Sequence, residues 1–361
     1  MKEWITPILV VIGLVGVGFG IRAVILKKGS SGDSSQEASA DSGSSNGAEV
    51  DPATEGVVSL TPHESRDDRD DPDSPNDWHN EQHPFVGYPT ERAPLDEIKI
   101  TSPKDQPEHA VDDMVTIPAG EFTMGVDDFD IAKPKRRVFV DAFRIDRYEV
   151  TNAQYRAFIK ETDHPQPELR DEWAKDYSWR EKEFPRGTAN RPVSMVTMED
   201  ARSYCKWTGK RLPTEEEWEK AARGTEGNIY PWGNDWDGRK AHTVERFSGP
   251  LKNLAEWKTF EEEFDDDALI HPWPVGSYGG DKSPFGVMDM HGNVSEWVDT
   301  PWDTHDGGDE TAHALFGKKD MVVVKGNSFA NRDYAAPAWI RYVFDATYVE
   351  DTIGFRCASD L

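Results

Sequence analysis

Trp4 to Leu26 is an almost unbroken apolar run, and no charged residue occurs between Trp4 and Ile21. At about 1.5 Å per residue, such a run crosses most of a ~30 Å hydrocarbon core as a helix, with Arg22 placed to snorkel toward the interface. The pattern then changes abruptly. From Gly29 to Asp112 no apolar period survives, and Ser, Gly, Asp, Glu and Pro dominate. Too little apolar surface is available there to offset the entropy of ordering, so the segment is expected to be disordered.

From Asp113 onward, periodic patterns return. Met114-Val-Thr-Ile-Pro-Ala-Gly-Glu-Phe-Thr-Met-Gly125 alternates around a Pro/Gly turn and predicts a short hairpin, and Val138 to Tyr148 alternates as a further strand. Three helices are announced by their caps: Thr151 with Gln154, Thr197 with Asp200, and Thr214 with Glu217. In each, the hydroxyl and the acid or amide three residues on can satisfy backbone N–H groups that a helix start leaves unpaired. Glu215 and Glu216 sit at the favourable end of the third helix dipole, and Gly224 stops it. Beyond Gly224 the chain reads as loops rich in Gly, Pro, Asp and Trp, with regular structure returning at Met321–Val324 and Ile353–Ala358. These patterns divide the chain into an anchor (1–28), an acidic linker (29–112) and one α+β domain (113–361) that is Trp-rich and large enough for its own core.

Charge narrows the partners. The chain carries a formal −27, and the linker alone has 20 acidic against 5 basic residues. No basic stripe appears anywhere, so nucleic acid, which needs a positive face against phosphate, is excluded. Arg22, Lys27 and Lys28 follow the apolar run where a signal-peptide cleavage site would lie, which favours an uncleaved single-pass anchor. Gly16 and Gly20 form a small-xxx-small pair of the kind that lets two such helices approach. The same three basic residues, against Lys2 on the other side, lean slightly toward a cytoplasmic domain. The ten histidines show no His-Glu-x-x-His, no Cys-x-x-Cys exists, and neither a nucleophile-elbow serine nor a phosphate-cradling glycine loop is present. The two cysteines, Cys205 and Cys357, read either as a disulfide or as two buried apolar residues.

Several segments in order resemble the formylglycine-generating-enzyme (sulfatase-modifying-factor) family. They are Met114–Gly125; Tyr148-Glu-Val-Thr-Asn152 with Tyr155 and Phe158; Arg191-Pro-Val193; Ala201-Arg-Ser-Tyr-Cys-Lys-Trp207; and Gly209-Lys-Arg-Leu-Pro-Thr-Glu-Glu-Glu-Trp218 with Ala221-Ala-Arg-Gly224. Tyr230-Pro-Trp-Gly-Asn234, Phe285-Gly286, Gly292-Asn-Val-Ser-Glu-Trp297, Lys325-Gly-Asn-Ser-Phe329 and Ile353-Gly-Phe-Arg-Cys-Ala358 complete the set. The resemblance implies a C-type-lectin-like α+β fold with little regular structure. It also implies a structural disulfide between Cys205 and Cys357, which favours a domain outside the cytoplasm, periplasmic or on the cell surface.

Active members of that family oxidise a substrate cysteine to formylglycine and hold copper between two thiolates. Here the matching positions fall on Asn331 and Ala336, which leaves a degenerate site around Ser328, Asn331, Ala336 and Arg341. Copper is therefore not expected, since neutral side chains do not replace soft thiolates for Cu(I). Arg332, Asp333, Tyr334, Trp339 and Arg341 read either as the lining of a polar-aromatic pocket or as packed and paired surface residues.

The resemblance further implies a calcium site at Asp289, Gly292, Val294 and Glu296, using two side-chain and two backbone oxygens. The same residues also read as a hydrogen-bonded turn tied by Asn293 and Glu296. A second family calcium site would begin at His242–Thr243, where imidazole is a poor ligand for calcium. His291 reads as a packed histidine, and the acidic run Glu261–Asp267 as a solvated loop.

Three functions follow for comparison. The first is a binding or accessory protein, a pseudoenzyme tethered to a membrane or cell-envelope complex by Trp4–Leu26 and a linker of roughly 45–55 Å reach. The second is a divergent oxidoreductase using a non-heme metal or none. The third is an ordinary formylglycine-generating oxidase, which the missing thiolates disfavour. A bound redox metal or turnover of a peptide cysteine separates the enzymes from the binder.

Overall fold

The computed structural model describes residues 113–129, 132–169, 178–249, 256, 259–260, 271–303, 321–331 and 335–361. The anchor, the linker, the acidic run Glu261–Asp267 and Arg332–Tyr334 lie outside the described residues.

All three capping boxes form. Thr151 opens α1 (Asn152–Thr162), Thr197 opens α2 (Met198–Trp207) and Thr214 opens α3 (Glu215–Arg223), each with its reciprocal partner three residues on. Gly224 closes α3 with φ 71°, a conformation that suits glycine, and a four-residue turn, α4 (Glu245–Ser248), follows.

The strands pair differently from the alternation-based expectation. β1 (Met114–Ile117) and β2 (Gly120–Met124) do not form a hairpin. The corner at Pro118–Ala119 carries the chain from one sheet to another instead. The expected strand Val138–Tyr148 is likewise two strands, β3 (Arg136–Val140) and β4 (Phe143–Asp146), broken at Asp141–Ala142. β2 pairs antiparallel with β3, with Phe122 opposite Val138, whereas β4 lies between β1 and β9 (Ala358–Asp360). Alternation fixed which residues are extended but carried no information about their partners. A four-stranded sheet in the order β7-β6-β5-β8 completes the frame, from β5 (Ser295–Pro301), β6 (Met321–Lys325), β7 (Tyr342–Asp345) and β8 (Ile353–Gly354).

Aromatic rings, many of them carried on helices and strands, fill much of the core. Tyr155 on α1 stacks on Tyr204 of α2 at 5.7 Å and meets Phe355 edge-on at 6.3 Å, while Trp297 on β5 is fully buried and donates its indole N–H to Val196 O at 2.9 Å. Such ring pairs contribute roughly 0.5–1.5 kcal/mol beyond their buried area. Cys205 on α2 is bonded to Cys357 just before β9, with Cα atoms 5.6 Å apart, so the disulfide implied by the resemblance forms and leaves no free cysteine.

Candidate functional site

β6 ends at Lys325, and the next residue, Gly326, has φ 77°, a conformation that favours glycine, with Trp218 only 3.2 Å from where a Cβ would stand. The turn delivers Asn327, Ser328 and Asn331 into the interior, where all three are buried. Ser328 Oγ donates to Asn331 Oδ1 at 2.6 Å, Asn331 Nδ2 donates to Tyr342 OH at 2.9 Å, and Tyr342 OH donates to Asn327 Oδ1 at 3.4 Å. The serine proton thus points at an amide carbonyl, which is not a base able to activate it. Ala336, at the other thiolate position, is buried, and the neighbouring Ala335 carbonyl accepts from Tyr230 OH at 2.9 Å. Among the described residues, Ser328, Asn331, Tyr342 and Asn327 thus form a hydrogen-bonded chain of neutral groups.

Arg341 is not a surface residue. Its Nε lies 2.8 Å from Glu215 Oε1 in an off-axis ionic contact, Nη2 donates to Asp303 O, and the guanidinium sits 5.9 Å from the Trp302 ring. The charges continue inward: Lys325 reaches Glu215 at 3.8 Å and Glu219 at 2.9 Å, and Arg223 pairs with Glu219 at 2.5 Å. Burial pushes the Glu219 carboxyl up, but Lys325 and Arg223 outweigh it and hold the group at about 2. Three cations, Arg341, Lys325 and Arg223, thus face two acids, Glu215 and Glu219, in a buried ion network. Trp339 is also buried and packs on Phe129 at 5.2 Å.

Behind it lies an unbalanced cluster. Glu296 accepts Nε and Nη2 of Arg356, both at 2.7 Å, and the Trp218 indole at 2.8 Å. Asp289, in the left-handed region at φ 55°, accepts from Gly276 N. Gly292 (φ 82°) cannot be replaced locally, because a Cβ would fall 2.4 Å from His242 O. The structure brings these expected residues next to two acids that sequence reasoning missed. Glu149 accepts from Asn293 Nδ2 (2.9 Å) and Val294 N (3.3 Å), and Asp281 accepts from His291 N (2.9 Å) while its buried Oδ1 has no hydrogen-bond partner. Glu149 lay within the quoted Tyr148–Asn152 motif, but nothing local marks it as buried beside Asn293.

Burial, reinforced by the Asp289 charge, raises Glu149 and Asp281 well above the ordinary carboxylate range. Burial likewise lifts Asp289 to about 7, partly offset by the Gly276 amide and Arg356. Four carboxylates therefore share one buried guanidinium. Among the described residues no three His, Cys, Asp or Glu side chains converge on a point, so a cation here would have to draw on backbone oxygens as well. The surplus negative charge and the unpartnered Asp281 oxygen fit a hard cation, although Arg356 already occupies both Glu296 oxygens.

His242 and His291 are packed among aromatic rings. Burial lowers His242 to about 3, and it stacks against Trp273 (4.8 Å) and Tyr278 (5.6 Å) with Nε2 on His271 O. A neutral imidazole is a poor ligand for calcium, which takes oxygen donors. His291 is buried against Trp236 and Trp232 at 5.1 and 5.4 Å, as expected.

Short capped helices and, among the described residues, three small sheets frame a loop-borne segment that holds Asn331 and Ala336 where the resembled family has its two thiolates. The sulfatase-modifying factor enzyme 1-like family model matches residues 99–361, and the chain belongs to that family. It is 32% identical over 292 residues to the formylglycine-generating enzyme of Bos taurus, covering 68% of this chain and 74% of that one. It is 31% identical over 301 residues to the inactive C-alpha-formylglycine-generating enzyme 2 of Mus musculus, covering 72% and 90%. Among solved structures, PvdO from Pseudomonas aeruginosa superposes with a TM-score of 0.51 at 26% identity, over 69% of this chain and 94% of that one.

Proposed function

We propose that the domain is a binding or accessory module of a membrane or cell-envelope complex, held outside the cytoplasm by the Trp4–Leu26 anchor, and that it does not oxidise cysteines. One observation carries the reading. Both cysteines of the chain are consumed by the Cys205–Cys357 disulfide, and the family's thiolate positions hold Asn331, locked between Ser328 and Tyr342, and Ala336. No thiolate remains to bind Cu(I), and among the described residues the Ser328 hydroxyl donates to the Asn331 amide oxygen, which is not a base. Likeness to a relative named as inactive supports the same reading. A calcium ion would be held by the Asp289 carboxylate and the Gly292 and Val294 carbonyls, with Glu296 shared with Arg356; it would lend the loop charge balance and rigidity, not redox chemistry.

The test uses the full chain in mild detergent, loaded with Cu(I) and given a cysteine peptide of the sulfatase type. The expected result is no stoichiometric copper and no aldehyde product, together with one defined partner at near-equal amounts after purification from native membranes. Aldehyde formed over several turnovers overturns the reading in favour of a divergent oxidoreductase. Recovery of the chain alone removes the accessory role.

A further inference from the structure

Among the described residues, the buried arginines each face a carboxylate: Arg341 meets Glu215, Arg223 meets Glu219 and Arg356 meets Glu296. Arg191 does not. Its Nε is buried and meets no hydrogen-bond acceptor, and among the described residues its side chain makes no hydrogen bond, ion pair or ring contact. Burial pushes its guanidinium down, and no neighbouring acid raises it again. Acids are plentiful in a chain of net charge −27, so a half-buried arginine without one stands apart.

The backbone fixes where Arg191 stands. Its N–H donates to Thr188 O at 3.0 Å, and its carbonyl accepts from Asn152 N, at the start of α1, at 2.9 Å. One residue back, Asn190 O accepts from Val275 N at 2.9 Å, which ties this turn to the segment carrying His271 and Trp273. The rings around it are neutral. Burial lowers His271 to about 4 and His242 to about 3, and the Arg191 charge adds to the effect in both. His271 is half-buried like Arg191, whereas His242 and Phe329, with ring centres 6.2 Å apart, are buried. Phe329 follows Ser328 directly, so this cationic spot borders the degenerate segment.

We propose that Arg191 is a binding residue that takes the carboxylate of a ligand, beside His271 and at the Phe329 end of the degenerate segment. A guanidinium presents paired N–H donors at the spacing of a carboxylate's two oxygens. It offers one positive charge, and the neutral imidazoles add none. A monoanionic carboxylate balances that charge, whereas a doubly charged sulfate or phosphate leaves negative charge over in an already acidic chain. An acidic group of a partner protein and a small free acid share this chemistry. The inference goes beyond the accessory reading and holds whether or not the domain oxidises thiols.

The experiment uses the full chain in detergent with its arginines labelled with nitrogen-15. The Arg191 Nε–H signal is assigned by its loss in Arg191→Met. At constant ionic strength, chloride is replaced stepwise by acetate, by sulfate or by acetyl-Gly-Glu-Gly-amide, with acetamide and the Gln peptide as neutral controls. Acetate and the Glu peptide should shift the signal saturably, the neutral controls should not, and sulfate should bind more weakly than acetate. Arg191→Lys, which keeps the charge but loses the fork, should weaken acetate at least tenfold, read from the His271 ring signals that also follow binding in the parent. In chloride alone, Arg191→Met should melt at or above the parent, because it removes an uncompensated charge. Tighter binding of the Glu peptide than of acetate assigns the carboxylate to a partner protein, and the reverse assigns it to a small acid. Three results overturn the proposal: no saturable shift with either carboxylate, sulfate binding more tightly than acetate, or a lowered thermal midpoint in Arg191→Met, which makes the arginine structural. Failure here leaves the copper and aldehyde test untouched.

Discussion

Replacing Arg356 by Met tests the unbalanced cluster directly. The fully buried guanidinium donates twice to Glu296 at 2.7 Å, to Arg147 O and Asp289 O at 3.1 Å each, and to Asp146 O at 3.3 Å. Its loss strands the Glu296 charge with the Trp218 indole as its remaining side-chain donor. Breaking a buried pair from one side costs roughly 3–5 kcal/mol. For a domain of this size that corresponds to a fall of roughly 6–20 °C in thermal midpoint.

The cost should also depend on pH, and the sign follows from the neighbours. Arg356 holds down Glu149, Asp281 and Asp289, although burial still leaves all three raised, with Asp289 at about 7. Without the guanidinium, their folded values move further above the unfolded ones. A group raised in this way contributes stability that is full below its unfolded value near 4 and lost as pH climbs through its folded value. Arg356→Met should therefore cost more at pH 8 than at pH 5. Urea unfolding at both pH values, with Arg356→Met/Glu296→Met as the relieved control, measures it. A cost under about 1 kcal/mol, or one equal at the two pH values, refutes the reasoning.

Removing the disulfide with Cys205→Ser opens a loop of 152 residues, which the chain-entropy model puts at about 5 kcal/mol; a reductant should shift the urea midpoint of the parent protein by the same amount and leave the variant unmoved. Burial, with the adjacent Glu350 charge, lifts Asp351 to about 8, so the parent should lose stability as pH rises toward 8 and Asp351→Asn should flatten that slope between about pH 5 and 8. Calcium at millimolar concentration should raise the thermal midpoint at pH 8 and EDTA should reverse it; Asp289→Asn should abolish the response, and an unresponsive parent removes the calcium site.

How far these features could be read in advance depended on how local their causes were. The caps at Thr151, Thr197 and Thr214 were legible because the hydroxyl and its partner lie three residues apart, and each formed as expected. Strand partners were not, because alternation in Met114–Gly125 and Val138–Tyr148 says which residues are extended and nothing about which edge they meet. The missing thiolates needed only the residue types at positions 331 and 336. What replaced them needed the fold: Tyr342, 11 residues beyond Asn331 and on another strand, receives the Asn331 amide.

The carboxylate cluster shows the same limit more sharply. Asp289, Gly292, Val294 and Glu296 could be gathered from one loop, but Glu149 meets Asn293 from 144 residues away and Arg356 meets Glu296 from 60. In sequence, each of these reads as one more polar residue in a chain that is 30% charged. Burial turns them into a site, since only there do four acids facing one guanidinium become costly enough to require a proton or a cation. Arg341 shows the converse. Its charge suggested a surface or a pocket, yet Glu215, at the start of a helix capped by Thr214, takes it inside. The local signal for that helix was thus also the signal, unrecognised without the fold, for what holds Arg341 inside.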